Sequence, residues 1–182
     1  VFFKRWFGPN PAVQKGRSLY AAAVAQARNP SFYRDLAVPD TTEGRFELYS
    51  LHVVLLLHRL KGQDPLSQDI GQALFAAYVQ ALDSALREMG VGDLSMAKKM
   101  RKLGEAFYGR IKAYDSALIA LPNLAELESV IGRTLYADVK DAPIALICQY
   151  AVAGVADLLG QDLVGPLNPV WPPIPAAPKE AV

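Results

Sequence analysis

From Met100 onward, apolar side chains return at Leu103, Phe107, Ile111, Tyr114 and Leu118, in steps of 3, 4, 4, 3 and 4. Residues three and four apart share one face of an α-helix, whereas a half-buried strand requires strict alternation. The same rhythm runs through Phe46, Tyr49, Val53, Leu56 and Leu60, and through Ile70, Leu74, Tyr78, Leu82 and Leu86. Alternating runs rich in β-branched residues are missing, so nothing reads as a strand. The expected architecture is all-α, a single-domain bundle of about six main helices with no sheet.

Local signals bound those helices. A first helix over residues 16–28 is expected to stop at "RNP", because Pro30 biases its predecessor away from helical geometry. "PSFYRDLAVPD" reads as a helical turn and a loop. A second helix, 42–61, opens at the Thr41/Thr42 caps and ends at Gly62. Leu48, Leu51 and Leu55 widen its stripe until most of the helix must be enclosed. A third runs from Asp64-Pro65 to Met89, with proline in the first turn. A fourth covers 94–119, a fifth follows Pro122, and a sixth spans 143–159. Six prolines among the last 18 residues predict an extended, polyproline-like tail. The resulting division is 1–11 as an aromatic and basic segment, 12–161 as the helical domain, and 162–182 as the tail.

Charge and cysteine content narrow the function classes. The chain has 182 residues, enough for one buried core, and a net charge of only +1. No global field draws it to nucleic acid, so DNA is not an expected partner. One cysteine, Cys148, excludes an intrachain disulfide and any cysteine-cluster metal site. Phe2, Phe3, Trp6 and Phe7 interleave with Lys4 and Arg5, a pattern that suits docking on the core or a membrane interface. From Ala142 to Gly160 only Gln149 and Asp157 are strongly polar. A buried core helix explains that stretch better than a membrane span, given the aspartate, the interior glutamine and the many alanines.

The sequence offers little catalytic chemistry. His52 and His58 are six residues apart, so they point about 120° away from each other on a helix and do not make the i, i+4 pair of a zinc helix. No glycine-rich phosphate loop is present, because "GVGD" joins two helices. Glu105 and Asp115 lie beside bases, where pairing along the helix surface is the plain expectation. No cofactor, metal or catalytic residue is assigned.

What remains is "GDLSMAKKMRKLGEAFYGRIKAYDSAL", residues 92–118. Lys98, Lys99, Arg101 and Lys102 open the helix, and Lys98, Arg101, Lys102 and Lys112 fall roughly opposite its apolar stripe. Cations near a helix N-terminus oppose the dipole. The small loss of local stability suits a patch that meets an acidic partner. Its bland counterpart is a solvated helix face.

This stretch, with "LYSLHVVLLLHRLKG" and "ALFAAYVQALDSALREMGVGD" before it, resembles the ubiquinol–cytochrome c chaperone family over residues 15–160. The matching motif comprises Gly90, Gly92, Asp93, Leu94, Lys98, Lys102, Phe107, Tyr108, Gly109, Arg110, Tyr114 and Asp115. The resemblance implies an all-helical, non-enzymatic assembly chaperone that binds nascent or newly inserted cytochrome b and promotes assembly of the bc1 complex. A membrane surface and the ribosome are further partners it suggests. With no mitochondrial-type targeting extension, a bacterial-type member is expected, cytoplasmic and peripheral at the inner face of the cytoplasmic membrane. Lys98, Lys99, Arg101, Lys102, Tyr108, Arg110, Tyr114 and Asp115 are the expected partner-binding residues, set around an apolar groove. The alternative is a small-molecule or lipid-binding helical module, even an enzyme, with a closed apolar pocket. An open groove or a closed cavity distinguishes the two.

Overall fold

The computed structural model describes residues 10–88 and 90–176. The aromatic and basic residues before Asn10 lie outside that range, as do Met89 and residues 177–182. Among the described residues there are seven helices and no strand, and helices account for 71% of them. They are α1 (Pro11–Ala27), α2 (Pro30–Arg34), α3 (Thr42–Leu60), α4 (Pro65–Glu88), α5 (Asp93–Ile119), α6 (Ala125–Thr134) and α7 (Ile144–Leu159).

Side-chain caps and prolines set the helix starts. Asn10 Oδ1 accepts from the Ala12 amide at 2.9 Å, with Pro11 in the first turn. Asn29 and Pro30 repeat the device at α2, where Asn29 Oδ1 accepts from Ser31 N at 3.0 Å. Thr41 Oγ1 caps α3 through the Gly44 amide at 3.0 Å, and Asp64 accepts from both the amide and the hydroxyl of Ser67. Each such cap satisfies a donor that the first helical turn leaves orphaned. Gly62 closes α3 with φ +70, a backbone state that disfavours any side chain.

The central helix is α3, which packs on α1, α4, α5 and α7. Leu48, Leu51, Val53, Val54, Leu55 and Leu56 are all buried, as its wide stripe requires. The longest contact runs between α1 and α4. There Gly16 lets the backbones meet, since a Cβ at this position would stand 2.6 Å from the Ala73 carbonyl carbon. The sixth expected helix, α7, buries Ile147, Cys148, Tyr150, Ala151 and Leu158 while Leu159 stays exposed. No described helix is long and apolar enough to cross a membrane.

Residues 163–176 hold no helix or strand, and they do not stand free of the bundle. Leu163 is buried, and the Trp171 ring meets His52 edge-on at 4.9 Å. Lys15 Nζ donates to the Leu167 carbonyl at 2.6 Å, and Ser18 Oγ donates to Asn168 Oδ1 at 2.8 Å. Gln161 exchanges two hydrogen bonds with the Val170 backbone, both 2.8 Å. Proline removes backbone donors and disfavours helix, so side chains and carbonyls do the fastening.

His52 sits beneath this strap, fully buried. Its Nδ1 donates to the Leu48 carbonyl at 2.8 Å, which leaves Nε2 to accept from the Tyr150 hydroxyl at 2.9 Å. Tyr150 in turn accepts from Gln26 Nε2 at 3.0 Å. Burial pushes the His52 pKa down to about 4, against a smaller opposing effect of the Leu48 bond. The unfolded chain therefore takes up this proton first as pH falls. Stability is expected to drop between pH 6.5 and about 4, by a contribution of about 3 kcal/mol from this residue. Thermal unfolding across that window checks it, and His52→Gln should flatten the fall.

Candidate functional site

Helix α5 divides its residues between the core and the surface. Met96, Phe107, Tyr114, Ala117 and Leu118 face inward. The Phe107 ring stacks on Tyr78 at 4.0 Å and lies 5.8 Å from Phe75, which joins α5 to α4. Thr134 Oγ1 donates to the Val130 carbonyl at 2.7 Å, so the fully buried Tyr114 hydroxyl donates to Thr134 at 3.0 Å. Arg110 crosses to α3, where its Nε lies 2.6 Å and 2.8 Å from the two Glu47 oxygens and its Nη2 also bonds the carboxylate. Glu47 is only 6% exposed, and the Arg110 guanidinium also stands 5.4 Å over the Phe46 ring. Hydrogen bonding to Glu47 raises the Arg110 pKa further, so the guanidinium stays charged.

Between α3, α4 and α5 lies an open cleft of about 330 Å³. Val54, Leu57, Phe75 and Ile111 supply its apolar lining, and Tyr108 stands on its rim with 69% of its surface exposed. Tyr108 approaches Phe75 edge-on at 6.4 Å. A second open cleft, about 400 Å³, continues toward α7 and is lined by Leu55, Ile119, Val155 and Leu159. His58, Lys61 and Asp115 belong to both clefts. His58 Nδ1 lies 3.0 Å from Asp115 Oδ1, and Lys61 Nζ bonds the other carboxylate oxygen. Burial alone would raise the Asp115 pKa. Hydrogen bonds and charge from Lys61 and His58 outweigh that effect and hold it below the usual carboxylate range. The two apolar clefts adjoin at this polar bridge, and together they make up the groove.

The expected site residues fall into three places. Lys98, Lys99, Arg101 and Lys102 are exposed on the first half of α5, away from both clefts. Tyr108 and Asp115 border the groove. Arg110 and Tyr114 do not edge it, because Arg110 is engaged with Glu47 and Tyr114 lies in the core. Asp115 pairs across to α3 rather than along its own helix surface. Glu47, His58 and Lys61 complete this polar framework and were not among the expected residues. A glutamate inside the apolar run around Leu48 was the available signal for the first of them.

Cys148 is fully buried, and burial pushes its thiol up to about 12. Native protein is expected to resist thiol-modifying reagents at neutral pH and to react stoichiometrically once denatured, because the thiolate is the nucleophile.

A family model described as ubiquinol-cytochrome C chaperone matches residues 34–163, more than half of the chain. The chain belongs to the ubiquinol-cytochrome C chaperone family. A curated member from Xenopus laevis, ubiquinol-cytochrome-c reductase complex assembly factor 1, is 24% identical over 161 residues. That match covers 86% of this chain and 80% of the relative. The crystal structure of the Cbp3 homolog from Brucella abortus aligns with a TM-score of 0.78 and 32% identity, over 88% of this chain and 91% of that one. The family and the all-helical fold are those the sequence motif implies.

Proposed function

We propose that this chain is a non-enzymatic chaperone that holds newly made cytochrome b during assembly of the bc1 complex, peripheral to the inner face of the cytoplasmic membrane. The groove carries the reading. An unassembled membrane subunit presents apolar segments that water disfavours, and an open apolar groove with a charged rim is the surface that shields them. The clefts open to solvent along the side of the bundle, which favours a polypeptide client over an enclosed small molecule. The Lys61–Asp115–His58 bridge offers polar groups partway along the groove, where a client segment can pair a polar side chain.

The experiment is capture of the tagged chain from native membranes in mild detergent, followed by identification of cytochrome b. The parent protein is expected to retain it. Tyr108→Ser is expected to reduce capture by roughly tenfold or more, as for a rim aromatic at a protein interface. Because Tyr108 is exposed, its replacement should change stability by less than about 0.5 kcal/mol. Absence of cytochrome b from the bound fraction, with normal bc1 content in cells lacking the gene, would overturn the proposal.

A further inference from the structure

Among the described residues, cations are mostly spoken for, except along α5. Arg34, Arg45, Lys61, Arg87 and Arg110 pair with Asp35, Asp40, Asp115, Asp83 and Glu47. Lys15 and Arg59 donate to backbone carbonyls. Lys98, Lys99, Arg101, Lys102 and Lys112 have no ion pair or side-chain hydrogen bond among the described residues, and all five are exposed. The remaining unpaired cations among the described residues, Arg17, Arg28, Arg133 and Lys140, stand singly on other parts of the fold. Among the described residues of a chain with net charge +1, free positive charge is thus concentrated on one helix.

Helical geometry arranges that charge. At about 100° per residue, Arg101, Tyr108, Lys112 and Ile119 fall within a sector of about 40°, in a line about 27 Å long. Lys98 lies about 60° to one side of that line, and the acids Glu105 and Asp115 lie about 40° to either side of it, Asp115 already paired with His58 and Lys61. Tyr108 and Ile119 are 69% and 68% exposed. Cations therefore alternate with large exposed apolar groups along one straight edge, the mixture that an anionic bilayer interface accommodates. Lys99 points to the opposite flank of α5. Lys98, Lys99, Arg101 and Lys102 line neither cleft, so the groove does not seat a partner against them. A flat, fluid, negatively charged partner fits it better than a shaped peptide.

We infer that the Arg101–Tyr108–Lys112–Ile119 edge of α5 rests on the anionic surface of a lipid bilayer. This deepens the proposed function, on which it rests for the presence of a membrane. Tyr108, Asp115 and Ile119 also line the groove, so α5 laid on the lipid points the groove opening along the bilayer surface, where a membrane-protein client emerges.

The test is co-sedimentation of the full chain with phosphatidylcholine vesicles, with and without phosphatidylglycerol. Binding is expected only with phosphatidylglycerol, weakening as salt rises. The double variant Arg101→Gln, Lys112→Gln should bind about thirtyfold more weakly, and Lys99→Gln should lose less than about threefold. Residues 1–9 are the same in every variant, so differences report α5 alone. Circular dichroism and the unfolding midpoint confirm that each variant is folded. Binding to phosphatidylcholine alone, no binding to either vesicle, or an equal loss in Lys99→Gln and the double variant overturns the inference. Tighter binding to single-stranded RNA than to the anionic vesicles at the same salt overturns it too, and reassigns the face to nucleic acid. Client capture in detergent involves no bilayer, so a failure here is separable from a failure of the proposed function.

Discussion

Replacing Glu47 by alanine is expected to destabilise the protein by about 3–5 kcal/mol, because it leaves the Arg110 charge half-buried without its partner. The carboxylate is almost fully enclosed and receives hydrogen bonds from two guanidinium nitrogens. An exposed pair would contribute under about 1 kcal/mol. The contrast between those magnitudes is what burial adds. Replacing both partners together, as in Glu47→Leu with Arg110→Met, should recover most of the loss, since paired charges and packed apolar groups can be nearly equivalent inside a protein. Urea unfolding of the two single variants and the double variant measures this directly. A cost below about 1 kcal/mol for Glu47→Ala would mean that the pair is solvated like a surface bridge.

Phe107→Ala is expected to cost about 3–5 kcal/mol, through lost transfer energy and the cavity left against α4. The ring is 1% exposed and stacked on Tyr78, with Phe75 on the same side. Phe75 also lines the client groove, so collapse into the cavity should reshape the groove's α4 wall as well. Phe107→Leu, which keeps most of the volume, should lose less than half as much. Equal losses for the two variants in denaturant unfolding would contradict the packing argument.

Most helices were legible because their apolar stripes are long and local signals bound them. Thr41, Gly62 and Asp64-Pro65 each mark an end with a mechanism in the adjacent residues. The start of α1 was missed by five residues, since Asn10-Pro11 caps it earlier than the stripe suggests. Long-range partners were not legible. Glu47 and Arg110 are 63 residues apart, and nothing within either helix states that they meet. The same holds for Asp115, whose cross-helix bonds to His58 and Lys61 replaced the along-helix pairing expected from local spacing. In the tail, six prolines predicted an extended backbone, but its fastening to α1 and α3 depends on a surface built by distant segments. For α5, periodicity separated the charged face from the core. It also placed Tyr114 in the core stripe, where the structure buries it, so the partner-binding role implied by the resemblance is what does not fit there. Arg110, off the stripe, turns inward because α3 supplies Glu47 as a partner.

The groove as the seat of the client is tested most directly by site-specific photo-crosslinking in cells. A benzophenone side chain in place of Tyr108 samples the groove rim, and one in place of Arg17, exposed on α1, samples a surface that lines neither cleft. The account predicts a cytochrome b adduct from the Tyr108 position and none, or a far weaker one, from Arg17. Cross-linking to cytochrome b from Arg17 but not from Tyr108, with both proteins folded, would contradict it.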